Sequence, residues 1–248
     1  MKPEFDRFAD DYSQLLRDPI RDRFATTPEF FFERKWQQLV AYMKEVGMRP
    51  EAAAWLDVGC GKGDLLRIGA KKFGRAVGCD LSAQMLEWCA DLETVLQDKP
   101  TSLPFPADTF DLITAVCVYH HVQSEDRPLL TSEIARVLRP GGTACIIEHN
   151  PFNPITQLIV RRTPVDADAH LLMARTARQL LVDAELVWKK IKYFLYFPSL
   201  LYKPLAGLET LLSKIPAGGQ YMVFAQKPLA MRIRRNFHGR GDQSTGSV

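Results

Sequence analysis

The sequence predicts an α/β fold in which helices cover both faces of a mostly parallel β-sheet. Between residues 53 and 148, short apolar runs alternate with segments whose apolar residues recur at helical spacing, and this alternation is typical of βαβ units. The loop Gly59-Cys60-Gly61-Lys62-Gly63 directly follows the first apolar run. Glycines at that place let the backbone turn tightly and approach a ligand closely where a helix begins.

The predicted elements follow one another without an internal repeat. Residues 1–50 are predicted to be helical, because apolar residues recur at helical spacing until Gly47 and Pro50 end the pattern. Strands are predicted over residues 53–58, 76–79, 95–97, 110–119, 143–148, 187–197 and 221–226. Helices are predicted over residues 64–73, 82–91, 129–138, 170–183 and 199–214.

These elements divide the chain into three expected parts. Residues 1–50 form an N-terminal helical cap, and residues 51–227 form the α/β domain, with substrate-loop insertions at 149–170 and 194–215. Residues 228–248 are basic and contain Gly and Ser, so this tail is predicted to be disordered.

The charge distribution argues against a dedicated nucleic-acid binder. The 32 Lys and Arg residues exceed the 29 Asp and Glu residues by three among 248 residues. Five of the basic residues and one acidic residue follow Gln226, so the tail carries about +4 and the remaining body about −1. A protein that binds nucleic acid is expected to spread basic charge over a folded face. No nucleic-acid partner is therefore expected.

The cysteines and the N-terminus predict a cytoplasmic protein. The five cysteines are at least ten residues apart and show no spacing typical of a metal site, so reduced thiols are expected. The first residues contain acidic side chains where a signal peptide needs an apolar run. No uncharged apolar stretch is long enough for a transmembrane helix.

An acid follows the glycine loop at a distance that suggests a nucleoside ligand. Asp80 ends the second predicted strand, where an acid can accept hydrogen bonds from both hydroxyls of a ribose; capping of the next helix is the alternative role. Asp64 occupies the place of the third glycine in the dinucleotide fingerprint. An acid there would repel a pyrophosphate and tolerate an ammonium or sulfonium group.

Four motifs in order carry a family resemblance. They are LDVGCGKG, GCDLSAQML, LPFPADTFDLITAVCVYHHV and EIARVLRPGGTACIIEHN. The chain resembles the class I S-adenosylmethionine-dependent methyltransferases, in particular the small-molecule subgroup that includes the quinone-ring methyltransferases, and FDRFADDY resembles that subgroup's first helix. The resemblance covers roughly residues 5–150. It implies a Rossmann-like seven-stranded sheet with an antiparallel last strand, and S-adenosyl-L-methionine as the cofactor.

The resemblance also implies a set of cofactor-binding residues. The glycine loop would hold the methionine part, Asp80 the ribose, and Asp98 the adenine amino group, although Asp98 lies one residue farther from Leu103 than is common. Tyr12 would reach over the cofactor, with a plain core position as its alternative. The implied cofactor-binding residues are Tyr12, Asp57, Gly59, Cys60, Gly61, Gly63, Asp80, Leu81, Met85 and Asp98.

The candidates for acid–base chemistry follow two predicted strands. His120 and His121 follow the fourth strand, and Glu148 and His149 end the fifth, where open α/β sheets bind ligands. A base is needed only when the nucleophile carries a proton at neutral pH. At most one of the adjacent histidines is expected to face the pocket, and each candidate could instead be structural. No metal is expected, because adjacent histidines are poor joint ligands.

Two further segments are candidates for contact with the molecule that accepts the methyl group. Arg161 and Arg162 could pair with a carboxylate or phosphate, or could lie at an exposed helix end. Residues 193–212 are rich in aromatic and leucine side chains, with Pro198 and Pro204 expected to break any long helix. They are predicted to form core and a lid that admits an apolar or lipid-like substrate. A weak membrane-surface contact, reinforced by the basic tail, is a hypothesis.

The sequence thus predicts a methyltransferase that modifies oxygen or nitrogen of a small molecule. Carbon methylation of an activated ring or lipid-like substrate is the close alternative. A methyltransferase-fold enzyme or accessory protein that binds the cofactor without transferring methyl is a third interpretation. The acceptor and the oligomeric state are left open.

Overall fold

A seven-stranded sheet forms the centre of the protein. The computed structural model describes residues 4–25 and 27–229, and the sheet has the order β3-β2-β1-β4-β5-β7-β6. Its strands are β1 (Ala54–Val58), β2 (Arg75–Asp80), β3 (Thr94–Leu96), β4 (Phe110–Val116), β5 (Leu138–His149), β6 (Val187–Phe194) and β7 (Gln220–Gln226).

The strand directions confirm the predicted fold. The pairs from β3 through β2, β1 and β4 to β5 are parallel, whereas β7 is antiparallel to both β5 and β6. The chain order reverses between β1 and β4. A crevice opens there beyond the carboxyl ends of the strands, which is where open α/β sheets bind ligands.

Nine α-helices lie within the described residues. They are α1 (Tyr12–Leu15), α2 (Pro19–Phe24), α3 (Glu29–Glu45), α4 (Asp64–Gly69), α5 (Ala83–Glu87), α6 (Arg127–Val137), α7 (Pro154–Arg162), α8 (Ala174–Asp183) and α9 (Ser199–Leu212). Short 3-10 helices occupy Glu4–Phe8, Pro50–Ala52, Ala70–Lys72 and Pro164–Asp166.

One predicted strand end and one predicted helix break were wrong. The fourth strand ends at Val116 rather than at residue 119, because Cys117 adopts a left-handed backbone with a φ of 56°. Helix α9 begins directly after Pro198 but continues through Pro204, which was expected to break it. A proline removes one helical hydrogen bond without ending every helix that contains it.

Apolar side chains cover both faces of the sheet. Along β1, Leu56 and Val58 enter one buried cluster and Trp55 enters the other, as the two-residue period of a strand requires. Helix α3 packs Trp36 against Trp55, with ring centroids 5.8 Å apart. Gly69 permits this contact, because a Cβ there would lie 2.4 Å from Trp36.

The N-terminal helices form a roof over the carboxyl ends of the strands. The 3-10 helix Glu4–Phe8 contacts α5, α1 contacts the 3-10 helix Pro164–Asp166, and α2 contacts α7. The roof therefore joins the β2 side of the crevice to the segments that follow β5.

No helix among the described residues is long and apolar enough to cross a membrane. In the predicted tail, only Pro228 and Leu229 are described. The prediction of disorder for residues 230–248 lies outside the described residues.

Candidate functional site

A cavity of about 470 Å³ lies between the N-terminal helices and the carboxyl ends of the strands. The glycine loop and residues that follow β2 line one part of it, the first end, and side chains of α2 and α3 line another part. The histidines that follow β4 and end β5 also line it. One cavity therefore joins most of the predicted cofactor-binding residues to most of the candidates for chemistry.

The glycine loop shapes the first end of the cavity. Gly59, Gly61 and Gly63 all have positive φ angles, of 65°, 53° and 78°. A Cβ at Gly61 would meet no atom within 4 Å, whereas a Cβ at Gly59 would lie 2.5 Å from Val118. Gly59, Cys60 and Gly61 line the cavity, but Gly63 does not. Gly63 was predicted to contact the cofactor; it instead lies beside Leu92, which leaves no room for a side chain.

Asp80 connects the end of β2 to the glycine loop. Its Oδ2 atom accepts a hydrogen bond from the Gly61 N–H at 2.8 Å, and its Oδ1 atom accepts one from the Ser82 N–H at 2.9 Å. Burial raises the pKa of the Asp80 carboxyl. Asp80 lines the cavity, as do the predicted residues Leu81, Met85 and Tyr12.

Two more acids line the cavity beside the glycine loop. Asp57 is buried and accepts a hydrogen bond from the Thr114 hydroxyl at 2.6 Å, and burial raises its pKa to about 7. Asp64 is exposed, and partial desolvation raises its pKa as well. Three carboxyl groups on one wall favour a ligand with positive charge.

The prediction for Asp98 was wrong. Asp98 is exposed and does not line the cavity, whereas its neighbour Gln97 is buried there. The Gln97 N–H donates to the Asp80 carbonyl at 2.8 Å, and the Gln97 side chain donates to the Lys99 carbonyl at 2.7 Å. This pairing extends β3 beyond its last residue and turns the next side chain outward. Nothing in the sequence distinguished Gln97 from the acid beside it.

His120 and Glu148 form a buried ion pair. His120 Nδ1 lies 2.5 Å from Glu148 Oε2, and the two side chains are 1% and 0% exposed. The Tyr119 N–H also donates to Glu148 at 2.7 Å. Burial by itself would lower the pKa of His120, but Glu148 and Asp166 raise it to about 10.

This pairing argues against two predicted bases. Glu148 does not line the cavity, and its carboxylate is engaged by the backbone and the imidazolium. Although His120 borders the cavity, its pKa keeps it protonated at neutral pH. Both residues were predicted as catalytic candidates; the structure engages both in this pair, and their part in the reaction stays a prediction.

His121 presents the more accessible imidazole. Its Nε2 atom lies 3.4 Å from Asp166 Oδ1, and its side chain is 15% exposed. The Phe5 ring packs edge-on against it, with centroids 4.8 Å apart. Both adjacent histidines therefore border the cavity, contrary to the expectation for at most one, and only His121 offers its ring to it.

His149 lines the cavity together with His120 and His121 and is neutral. Gln220 Nε2 lies 3.4 Å from His149 Nδ1, and Cys117 Sγ lies 3.8 Å from His149 Nε2. Burial, followed by the positive charge of His120, lowers the pKa of His149 to about 4. His149 is thus a weak base with two neutral neighbours.

One group of side chains could in geometry hold a metal ion. The ligand atoms of His120, His121 and Asp166 lie within 4.8 Å of one another. However, an imidazolium with two carboxylate partners has no free nitrogen lone pair, and His120 is such a group. Asp166 was missed in the sequence, where only the turn signal of Pro164 marks its segment.

Cationic and aromatic side chains also line the cavity. They are Arg21, Lys35, Phe24, Phe31 and Phe32, and Lys35 acts electrostatically on Asp57 and Asp64. Arg161 and Arg162, proposed as substrate ligands, are exposed and do not line the cavity. Sequence reasoning missed Lys35, which resembles any other charged residue of an amphipathic helix.

Comparison with known proteins identifies the family. Residues 56–146 match a family model described as a methyltransferase domain. They include the glycine loop, Asp80 and the histidines that follow β4. This part of the chain is a methyltransferase domain of the S-adenosylmethionine-dependent type.

Two curated relatives show the range of this methyltransferase family. The chain is 32% identical over 156 residues to demethylmenaquinone methyltransferase of Symbiobacterium thermophilum, covering 57% of this chain and 61% of that one. It is 30% identical over 158 residues to tRNA (carboxymethyluridine(34)-5-O)-methyltransferase of Arabidopsis thaliana, covering 63% of this chain and 37% of that one. The chain thus spans less than two thirds of either relative.

Solved structures share the fold. A methyltransferase of Thermotoga maritima has a TM-score of 0.63 at 14% identity, covering 90% of this chain and 98% of that one. A Haloferax volcanii protein described as a methyltransferase, solved with the Trm112 methyltransferase activator, has a TM-score of 0.62 at 20% identity. It covers 92% of this chain and 99% of that one.

The first end of the cavity fits the family's cofactor. S-adenosylmethionine binds to members of the family, and its sulfonium and ammonium groups are positive. Asp57, Asp64 and Asp80 supply negative charge without a phosphate-binding feature, and the open space beside Gly61 admits a ligand against the backbone.

Proposed function

We propose that this methyltransferase modifies oxygen or nitrogen of a small molecule held in the part of the cavity that α2 and α3 line. The observation that carries the proposal is that one cavity is lined both by Asp80 and the glycine loop and by side chains of α2 and α3. S-adenosylmethionine supplies an activated methyl group when it is bound. In the proposed arrangement Asp80 binds the ribose hydroxyls, the glycine loop with Asp57 holds the methionine part, and the acceptor lies toward α2 and α3.

The protein's main task would be to orient the acceptor and exclude water. Transfer from a sulfonium needs the nucleophile in line with the methyl group, and fixed orientation lowers the barrier. The N-terminal residues Phe5 and Tyr12 lie over the cavity, and Phe5 packs on His121. We assign them the role of closing the site against solvent.

His121 is the best candidate for a general base. If Nε2–H donates to Asp166, whose carboxylate is 3.4 Å away, Nδ1 remains able to accept a proton from the acceptor. Such an acid–histidine pair orients the imidazole and stabilises its protonated form. His149, with its pKa lowered to about 4, is the weaker choice and suits a hydrogen bond to the acceptor.

Carbon methylation is the second candidate, supported by the similarity to demethylmenaquinone methyltransferase. The same base would then deprotonate an activated ring. The aromatic residues Phe24, Phe31 and Phe32 on the cavity wall favour an acceptor with an apolar part in either case. The exposed Leu200 and Leu211 of α9 support the hypothesis of contact with a membrane surface.

A nucleic-acid acceptor is an alternative suggested by relatives that are named as tRNA methyltransferases. The similarity in fold to a protein solved with Trm112 raises an activator as a partner in that case. The near-neutral body of the chain and the roof over the cavity favour the small molecule. Binding of the cofactor without methyl transfer remains the third interpretation.

One assay separates these candidates. The purified protein is incubated with S-adenosylmethionine labelled in its methyl group and with a metabolite extract, lipid vesicles, or tRNA with and without Trm112. We expect label in a small molecule together with S-adenosylhomocysteine. Label in tRNA alone, or cofactor binding without any transferred label, would contradict the proposal.

Variants then test the base. For an acceptor that carries a proton, His121→Gln should lower kcat by about 10²–10⁴-fold with little change in cofactor affinity. The matched control is His170→Gln, because His170 is exposed and lies outside the cavity. Equal activity of the two variants would remove His121 from the mechanism.

A further inference from the structure

Helix α9 presents a row of leucines to solvent. Leu200, Leu208 and Leu211 lie within about 80° of one another around the helix axis, and all three side chains are exposed. Leu200 and Leu211 are 79% and 78% exposed. Exposed leucines that occur singly are common on soluble proteins, whereas a contiguous group of them marks an interaction site.

The opposite face of α9 is anchored in the fold. Glu209 is buried there and pairs with the buried guanidinium of Arg34 on α3. The Tyr196 N–H donates to the other carboxylate oxygen of Glu209 at 3.1 Å. Because breaking a buried ion pair is costly, α9 is held with its leucines facing outward.

The exposed apolar side chains continue from the end of α9 to the start of α7. Asn153 donates to the Ala217 carbonyl at 2.8 Å, which ties the start of α7 to the segment after α9. Ile215 lies just before that segment, and Phe152 and Ile155 lie beside Asn153; all three are exposed. Six side chains thus form what we call the apolar surface: Leu200, Leu208, Leu211, Ile215, Phe152 and Ile155.

The exposed charges next to the apolar surface are basic. Lys203 lies three residues after Leu200, so the two are neighbours on the helix, and Lys214 follows the helix end. Residues 154–162 contain two arginines and no acid, and Glu209 is the one acid among residues 199–215. An apolar face with basic residues beside it is typical of segments that lie on anionic lipid.

This charge pattern disfavours the other possible occupants. A second copy of the chain would place the same basic side chains opposite one another, and like charges repel across an interface. The tail after Gln226 carries about +4 and is repelled in the same way. A nucleic acid offers negative charge but leaves the leucines without an apolar partner. An anionic lipid layer offers both.

The cavity reaches the apolar surface at α7. Ile155 is 52% exposed and also lines the cavity. Thr156 and Ile159 of the same helix line the cavity too, as does Tyr196, which precedes α9. The apolar surface therefore lies at an edge of the cavity.

We propose that the apolar surface binds to an anionic lipid layer. In this arrangement α9 lies along the layer, the leucines enter the boundary between headgroups and acyl chains, and Lys203 and Lys214 face lipid phosphates. The edge of the cavity at Ile155 then faces the lipid, so an acceptor with an apolar body can enter from it. That route of entry rests on the proposed function, whereas the binding of lipid does not.

Sedimentation with vesicles tests the surface. The full chain is mixed with vesicles of phosphatidylcholine alone, or of phosphatidylcholine with phosphatidylglycerol. We expect binding at least about tenfold tighter to the anionic vesicles, and weaker binding when salt is added. Leu200→Ser combined with Leu211→Ser should weaken that binding at least about tenfold, because the burial of two leucines is lost. Failure of the unaltered chain to bind anionic vesicles would overturn the proposal.

A matched control uses exposed apolar residues of other helices. Leu129 on α6 and Val182 on α8 are exposed and do not line the cavity. Leu129→Ser combined with Val182→Ser should leave vesicle binding unchanged. Both double variants should keep the unfolding temperature of the unaltered chain, since the substituted side chains are exposed. Equal vesicle binding by the two double variants would overturn the assignment to the apolar surface.

The basic side chains are tested separately. Lys203→Gln combined with Lys214→Gln should weaken binding to the anionic vesicles at least about fivefold. Binding to the phosphatidylcholine vesicles should stay as it is in the unaltered chain. An unchanged affinity for anionic vesicles would contradict the contact between these lysines and lipid phosphates.

Two further measurements separate the alternatives. Sedimentation velocity without lipid should show a monomer. A dimer that dissociates in Leu200→Ser with Leu211→Ser would show that a second copy covers the surface and would overturn the proposal. Methyl transfer to a soluble metabolite extract is measured in parallel. Vesicle binding without transferred label would contradict the proposed function and support the surface, and transferred label without vesicle binding would do the reverse.

Discussion

His120 Nδ1 lies 2.5 Å from Glu148 Oε2, and this buried ion pair joins the end of β4 to the end of β5. Glu148 also accepts from the Tyr119 N–H, and His120 Nε2 lies 3.5 Å from Asp166. The pair therefore holds the loop after β4 and the segment after β5 in one arrangement. Through Asp166 it also positions the neighbouring imidazole of His121.

Breaking this pair should destabilise the fold. Glu148→Gln leaves the charge of His120 without its main partner, and loss of one member of a buried pair costs about 3–5 kcal/mol. Urea unfolding measures the change in the free energy of unfolding. The control is Glu93→Gln, which removes an exposed pair with Arg75 and should cost about 0–1 kcal/mol. A similar loss in the free energy of unfolding in the two variants would show that the buried pair stabilises the fold no more than the exposed pair does.

The same pair predicts how stability depends on pH. The pKa of His120 is raised from 6.5 to about 10, so its contribution is full below pH 6.5 and is lost as the pH rises toward 10. The pKa of Glu148 is lowered from 4.5, so its contribution is present above pH 4.5 and is lost in acid. The free energy of unfolding should therefore fall between about pH 6.5 and about pH 10. The fall should be much smaller in Glu148→Gln; an equal fall would contradict the assignment.

Asp80 and Asp98 should differ in their effect on cofactor affinity. Asp80→Ala should weaken S-adenosylmethionine binding by about 1–3 kcal/mol, because charge-assisted hydrogen bonds to the ribose are lost. Asp98→Ala should leave affinity unchanged, since Asp98 is exposed outside the cavity. Calorimetry compares the two. Unchanged affinity in Asp80→Ala would remove that residue from the cofactor site.

Substitutions at Gly61 and Gly47 should distinguish two effects of an added side chain. One is strain in the backbone, and the other is loss of the space that the cofactor occupies. Gly61 and Gly47 both have positive φ angles, and a Cβ at either would meet no atom within 4 Å. Valine at either position should cost about 1–2 kcal/mol of stability through left-handed strain. Only Gly61→Val should also lose cofactor affinity, because only Gly61 lines the cavity. Thermal unfolding and calorimetry measure the two effects, and normal affinity in Gly61→Val would contradict the placement of the cofactor.

Activity should not depend on a metal ion. His120 keeps protons on both nitrogens at neutral pH, because its pKa is raised to about 10, and a protonated imidazole cannot bind a metal. Dialysis against a chelator should leave methyl transfer unchanged. Loss of activity that Mn²⁺ or Zn²⁺ restores would show that His120, His121 and Asp166 bind an ion.

Local patterns were enough to predict the sheet and the cofactor end of the cavity. The two-residue period of β1 and the glycines after it belong to a single stretch of about ten residues. Asp80 follows at the end of the next strand. Backbone preferences act over such short distances, so strand, turn and helix start can be read directly from neighbouring residues. The antiparallel β7 was implied by the family resemblance.

Tertiary structure alone decided the partners of the charged groups. Burial and pairing depend on which distant segments meet, so residue type did not reveal that Glu148 is held by His120 or that Asp166 lies beside His121. It also did not separate Arg34, which pairs with Glu209 across the fold, from Lys35, which faces the cavity. Adjacent residues of one helix point in different directions, and only the packing of the helix determines which cation meets a carboxylate and which remains open to a ligand.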